Sequence, residues 1–425
     1  MRIFPVMLCL LLLAGADARA SALSLQDVLD MAREHNPTLK TAAHDPRIAA
    51  EEVTRAKAGY LPTVDFSGGY TAEKDAQEAK ASTGSSNVVF PTQEADFGFF
   101  NFTIDQTLYD FGRTASRVQG TEALQKASEF DYLGNEQSVF LQTVSAFYQV
   151  LAVQKALQAA DEEVKQMEDH LRVARNLFEQ GVVTRNDVLQ AEVQLADSRQ
   201  RQLAARNELA NAWLRLNYLA GRKPQERGEL QEAAAFKPSQ GEQSPQQAVA
   251  DRPELKAQRL VLQASEQEVK QSKAQFWPEI FASAGADYME NKYVVQQTLY
   301  SATVGLRINL FDGFTTTSRL REAVAREARS RDRFRDLQEQ AALEYRTAQN
   351  DAKVAYERIG VTQKAIQQGE ENLRINQNRY QEQVGTATDV IDAQTLLTRT
   401  RLENYKAIFD YEVALARMKR AAGKL

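Results

Sequence analysis

The sequence predicts a mainly α-helical chain with a β-barrel segment, built from a helix, hairpin and long-helix-pair unit that occurs twice. Three observations predict it. Ala, Gln, Glu, Leu and Arg crowd the 425 residues, only 8% is aromatic and only 10 residues are Pro. That is the composition of long helices and coiled coils, not of a large enzyme core. Proline is missing from 92 to 223 and again from 279 to the C-terminus, so both stretches can be helical without interruption. Finally, short motifs return in the same order along the chain.

The returning motifs define the duplication. Asn36-Pro37-Thr38-Leu39-Lys40 returns as Arg252-Pro253-Glu254-Leu255-Lys256, and Lys57-Ala58-Gly59-Tyr60-Leu61-Pro62 as Lys273-Ala274-Gln275-Phe276-Trp277-Pro278, both 216 positions later. Leu108-Tyr109-Asp110 returns as Leu310-Phe311-Asp312, and Thr184-Arg185-Asn186-Asp187-Val188 as Thr386-Ala387-Thr388-Asp389-Val390, now 202 positions later. A constant offset with one localised indel marks the halves as structural duplicates, the first carrying about 14 extra residues between Pro62 and Leu108. The expected organisation is 1–20 leader, 21–222 first repeat, 223–244 linker and 245–425 second repeat.

The leader reads as a signal peptide. Arg2 is followed by the apolar run Phe4–Ala14, and Ala18-Arg19-Ala20 supplies the small-residue cleavage pattern. Eleven apolar residues fall short of the ~20 that a membrane-spanning helix needs. Cys9, the one cysteine, leaves with the leader, so the exported chain suits an oxidising compartment. No later apolar run is long enough for a transmembrane helix, but β-barrel spans leave only a weak alternating signal.

The strand segments are Thr63–Tyr70 with Phe97–Leu108, and Glu279–Tyr288 with Ser301–Leu310. In the last, Ala302, Val304, Leu306, Ile308 and Leu310 share one face, opposite Thr303, Gly305, Arg307 and Asn309. This alternation fits a lipid-facing strand around a wet lumen, or a buried hairpin core. The segment Ala72–Ala95, with Ser82-Thr83-Gly84-Ser85-Ser86, reads as a mobile polar loop. Four strands cannot close a barrel, and open strand edges are untenable in lipid, so several copies must pool their strands. A helix is expected from about Arg113 to Leu177, and within the proline-free stretch a heptad-like seam steps through Val164, Met167, Leu171, Ala174 and Phe178. A second seam runs through Leu189, Val193, Ala196, Leu203, Ala210 and Leu214. Gly181 and Gly385, with Thr184 and Thr386 close by, permit tight reversals between antiparallel helices.

Several function classes are excluded or left without support. Fifty-two basic against 57 acidic residues give a net charge of −5, which points away from nucleic acid. No nucleotide-binding glycine motif occurs. His35, His44 and His170 are far apart and read as solvated or satisfied side chains, so no metal, cofactor or catalytic constellation is expected.

The order signal peptide, helix, hairpin, helix, glycine-containing break and helix, repeated once, resembles the TolC-type outer-membrane efflux protein family, channels of tripartite efflux and type I secretion systems. The marks are Asn36-Pro37, Tyr60-Leu61-Pro62, Leu310-Phe311-Asp312-Gly313 and the tip segments 181–188 and 384–393. The resemblance implies a homotrimer in outer-membrane lipid, with twelve strands closing one barrel and an α-helical barrel forming a periplasmic tunnel. It implies a passive exit duct, served by a periplasmic adaptor and an inner-membrane transporter of ABC or RND type. It also implies a channel aperture at Asp389 and Asp392, with Tyr380 as gating tyrosine. Gly181, Thr184, Asp187, Gly385 and Thr386 then form helical tips for adaptor contact. Gly385 stands where the family usually has an arginine, leaving Arg379 or Arg185 as substitutes. Read without the family, Asp389 and Asp187 are helix caps. The rival class is a periplasmic coiled-coil adaptor without a pore, which fractionation separates from an outer-membrane trimer.

Overall fold

The computed structural model describes residues 22–84, 86–232 and 244–425. The expected leader, with Cys9 and the Ala18-Arg19-Ala20 site, lies outside them, as does part of the expected linker. The chain opens with three short helices, α1 (Leu25–His35), α2 (Pro37–Ala42) and α3 (Asp45–Lys57). Asn36 explains why Asn-Pro starts this unit. Its Oδ1 accepts from the Thr38 and Leu39 amides, while its buried Nδ2 donates to the Leu219 carbonyl at 2.8 Å. The reading of one helix here misses the break between α2 and α3. Pro46, in the first turn of α3, has no N–H to continue α2.

Four strands follow: β1 (Thr63–Ala72), β2 (Glu78–Thr83), β3 (Ser86–Pro91) and β4 (Asp96–Tyr109). The segment expected as a mobile loop is instead largely the antiparallel hairpin β2–β3, which turns at left-handed Gly84. Alternation is confined to Glu78–Ala81, since Val88, Val89 and Phe90 run consecutively, and the polar Ser-Thr-Gly run between the strands is the turn. The second half supplies β5 (Glu279–Met289) and β6 (Thr298–Arg307), giving an antiparallel sheet in the order β1-β4-β5-β6. β6 stops three residues before the expected end. Arg307 already pairs with Glu279, and the next residue along is Pro278, which cannot donate to the ladder.

The register makes one face almost wholly apolar and the other mixed, its polar residues sharing it with Phe99, Met289 and Leu299. Val64, Ile104, Ala284 and Ala302 lie side by side across the four strands, as do Phe66, Phe102, Ala286 and Tyr300. Phe100 stacks on Tyr288 at 4.7 Å in the next row. The opposite face carries Asp65, Thr103, Gly285 and Ser301 in one row, and Asn101, which donates to Asp287, in another. On this polar face Phe281 lies over Gly305, where an added Cβ would come within 2.6 Å of its ring, and Arg307 sits 4.7 Å from the same ring.

Each sheet half feeds a helix of 67 residues, α4 (Arg113–Glu179) and α8 (Thr315–Gln381), each about 100 Å long at 1.5 Å per residue. Both junctions use two consecutive left-handed residues, Phe111-Gly112 and Gly313-Phe314, with the glycine in opposite order. Both are held by an aspartate. Asp110 accepts from Thr114 N at 2.8 Å, and Asp312 from Thr316 N at 2.8 Å. Those bonds with Thr316 keep the Asp312 carboxyl below its ordinary range. The remaining helices are α5 (Arg185–Ala220), α6 (Pro245–Ala248), α7 (Pro253–Ala274) and α9 (Ala387–Ala421). Near the sheet the helices pack in the sequence α3, α4, α7, α8, and towards the far end as α5, α4, α9, α8. The main core lies near the midpoint of α4, where Val144, Phe147, Val150 and Leu151 meet Trp213, Leu216 and Val28.

Two seams were expected, and they fare differently. Val164, Met167, Leu171 and Ala174 are buried against Ala191 and Leu195, although Phe178 is exposed. The α5 seam is turned largely outward: Leu189, Val193, Leu203 and Leu214 are exposed and Ala210 is half-buried, while α5 buries Ala191, Leu195, Ala212 and Leu216 instead. The helix has two apolar stripes, and the weaker one, rich in Ala and Ser, faces α4. α8 shows a matching outward stripe at Leu343, Val354, Val361 and Ile375.

Candidate functional site

The far ends of the long helices are the expected site. At the first tip, Gly181 takes φ +72°. Its N–H donates to Phe178 O and that of Val182 to Leu177 O, at 2.9 and 2.8 Å, a Schellman reversal that satisfies the last carbonyls. The second tip repeats the pattern residue for residue. Gln383 donates to Tyr380 O and Val384 to Arg379 O, at 3.1 and 2.9 Å. The left-handed residue is therefore Gln383, at φ +64°, and not Gly385 as expected. Gly385 has a different reason to be glycine. Its N–H donates to Arg379 O at 3.0 Å, and a Cβ there would meet Arg379 Cβ at 3.1 Å. Arg379 also donates to the Val384 carbonyl at 3.4 Å, which puts one of the two substitute arginines on the second tip.

Each descending helix starts with the same capping box. The Asp187 carboxylate accepts from Thr184 N and Oγ1 at 2.8 and 2.7 Å, while Asp389 accepts from Thr386 N at 2.9 Å and its own N–H donates to Thr386 Oγ1 at 3.2 Å. These bonds to Thr386, helped by the charge of Arg379, hold the Asp389 carboxyl below the usual carboxylate range. An upward shift is the expectation for an acidic ring; within one protomer Asp389 moves the other way, because its partners are hydrogen-bond donors. Asp392 is exposed one turn further along α9. Tyr380 does not share that exposure. It is buried with Leu373, Ala387, Val390 and Leu397, against Val173 and Leu177 of α4. Burial, then the charge of Asp187, pushes its phenol up. The two tips touch through Gln190 Nε2, which donates to Thr388 Oγ1 at 3.3 Å.

The structure thus gathers Gly181, Thr184, Asp187, Gly385, Thr386, Asp389 and Asp392 at one end and sets Tyr380 inside the seam between the two hairpins. His170 was expected to be solvated or satisfied. Instead its ring lies 5.6 Å from that of Tyr380, and its Nε2 is buried without a partner among the described residues. The available signal was its place beside the Met167–Leu171 seam. Among the described residues no group of three or more His, Cys, Asp or Glu could hold a metal ion, and no helix is long and apolar enough to cross a membrane.

Comparison with known proteins agrees with this architecture. The model of the outer membrane efflux protein family matches residues 28–222 and 244–424. The chain is 22% identical to the alkaline protease secretion protein AprF of Pseudomonas aeruginosa over 418 residues, covering 96% of this chain and 85% of the relative. It is 21% identical to the outer membrane protein TolC of Escherichia coli, covering 100% and 87%. Among solved structures, the outer-membrane channel OprN superposes with a TM-score of 0.81 at 18% identity, over 94% of this chain and 90% of that one. The outer membrane protein VceC of Vibrio cholerae gives 0.80 at 18%, over 94% and 96%.

Proposed function

The chain belongs to the outer membrane efflux protein family, and from that premise we propose that it is the passive exit duct of an efflux or type I secretion system. It resides in the outer membrane with a large periplasmic part. The observation that carries the reading is the sheet. Its four strands have one apolar face and one that carries the polar residues, and among the described residues β1 and β6 each leave an unpaired edge. In lipid such edges must be closed. Three copies supply twelve strands around a wet lumen, and closure sets the exposed stripes of α5 (Leu189, Val193, Leu203) and α8 (Leu343, Val354, Val361) against one another between neighbours.

The 100 Å helices carry the lumen across the periplasm, and their tips face the inner membrane. There a periplasmic adaptor, linked to an ABC or RND transporter, docks on the turns at Gly181–Thr184 and Gln383–Thr386. Asp389 and Asp392 from three copies form an acidic aperture, and Tyr380 sets the packing of the hairpin that carries them. The chain performs no catalysis; the work of transport comes from the pump.

Purified protein in a planar bilayer tests this. A trimer extracted from outer membranes, with steady cation-selective conductance, is expected. A folded, membrane-inserted monomer, or a trimer that fractionates with the inner membrane and conducts nothing, overturns it.

A further inference from the structure

A groove of about 780 Å³ lies just below the sheet, where α4, α7 and α8 run side by side. That volume falls within the ~300–1,000 Å³ of small-molecule sites. α7 packs between the other two helices and forms the floor. Leu124, Val261, Ala264 and Ala325 give the groove apolar surface, and Leu124 stays exposed there. Its charged side chains are Arg117 from α4, Glu268 from α7, and Glu322, Arg326 and Arg329 from α8. Arg326 neutralises both carboxylates, pairing with Glu268 at 2.9 Å and also with Glu322. Arg117 and Arg329 are exposed and have no ion-pair partner among the described residues. Arg319 and Arg333 continue the face of α8 that holds Arg326 and Arg329, at steps of three and four, so the positive excess extends past the groove.

The groove opens on the side of the sheet's polar residues. Arg113, in the first turn of α4, donates to Glu279 at 2.6 Å. Glu279 shares its face of β5 with Ser283, Gly285 and Asp287. From Arg113, the groove residues Arg117, Gly120 and Leu124 follow at steps of four, three and four, so they run down the same side of α4.

We propose that this groove binds an organic anion with an apolar body, an aromatic sulfonate or carboxylate, whose charged group sits between Arg117 and Arg329. A guanidinium presents parallel N–H donors to such a group, and the apolar floor covers the rest of the molecule. An inorganic anion meets only the guanidiniums and a neutral apolar molecule only the floor. The groove therefore selects a molecule that carries both features. Carboxylates elsewhere on this side leave it undisturbed. Asp105, on the polar face of β4, stands four residues from the strand end at Tyr109, about 13 Å along the strand. Charges act over only ~8 Å at physiological salt. That the groove faces outgoing cargo is the one part that rests on the proposed duct.

The test is photo-crosslinking with benzophenone-4-sulfonate, which joins an apolar body to a permanent negative charge. It is applied to the protein purified from outer membranes, in phosphatidylcholine nanodiscs. Adducts mapped by peptide mass should fall within 116–124, 261–271 and 322–330, and adducts confined to other segments overturn the proposal. Arg117→Gln with Arg329→Gln should cut the groove adducts about tenfold, the loss of one charge-assisted contact; undiminished labelling in this double variant overturns it too. Neutral 4-hydroxymethylbenzophenone should label the groove about tenfold less than the sulfonate does, and equal labelling shows that charge is not read there. Mapping on the unsubstituted chain covers the case in which the variant misassembles. Conductance in a planar bilayer is measured on the same preparation. Conduction with an unlabelled groove removes the site and leaves the duct, whereas labelling without conduction removes the duct and leaves the site.

Discussion

The two helical tips are copies that have drifted, and their differences separate what a reversal requires from what a site requires. Both keep the same pair of Schellman hydrogen bonds and the same Thr/Asp capping box. They differ at the left-handed position, glycine in the first and Gln383 in the second. They differ again one turn into the descending helix, where Asp392 answers to Gln190 of the first copy. Gln190 spends its amide on Thr388 of the other tip, while Asp392 adds a second exposed carboxylate beside Asp389. The backbone geometry is common property of the repeat. The excess negative charge belongs to the second tip alone.

Removing that charge should give the largest effect. Asp389→Asn with Asp392→Asn is expected to abolish block by divalent cations and reduce cation selectivity, with the trimer intact. Asp187→Asn should do neither, although it disturbs an equivalent cap. Single-channel recording decides, and retained divalent block in the double variant places the constriction elsewhere. The comparison sharpens next at the left-handed position. Gly181→Ala should weaken the first tip by about 1 kcal/mol, since the surrounding space is open and only backbone strain is added. Gln383→Gly should strengthen the second by about as much. Hydrogen exchange at the Val182 and Val384 amides should then move in opposite directions, each about fivefold.

Acid should act on the second cap in a definite window. The depressed Asp389 carboxyl contributes its cap above the ordinary value of 3.8, and that contribution is lost as pH falls through the lowered one. Fraying of the start of α9 at such pH, seen by exchange of its first amides, is the expected outcome; Thr386→Ala should bring the same fraying to neutral pH. The smallest effect is expected at the opposite end of the duplicated unit. There the first half carries β2–β3 and the second half joins its strands directly. Excising residues 78–91 should leave trimer yield and conductance unchanged, because loop-closure entropy varies slowly with length. The visible cost is local. Asn291 Nδ2, which donates to Thr92 O at 2.9 Å, and Lys292, paired with Glu94 at 2.7 Å, tie the neighbouring connection to this segment. Loss of the trimer on excision contradicts the expectation.

The sequence alone determined the duplication, the extent of the long helices and the two faces of the strands. These are properties of local covalent chemistry. Proline either interrupts a hydrogen-bond ladder or is absent, and a period of two assigns Ala302, Val304 and Leu306 to one side whatever they meet. Even so, the ends followed partners. β6 stops where Pro278 can no longer pair, and α2 stops before Pro46, a break that the outline of the repeat concealed. Tertiary structure decided which of two apolar stripes on α5 packs inside the chain, because periodicity finds a stripe without saying what covers it. It decided that Gln383 bears the left-handed turn, since the hydrogen bonds from Val384 and Gln383 fix that position regardless of where the nearby glycine stands. It also decided that His170, Tyr380, Gln166 and Gln394 share one cavity. Those residues come from three helices and have no common spacing in the sequence, so only the packing of one hairpin on the other brings them together.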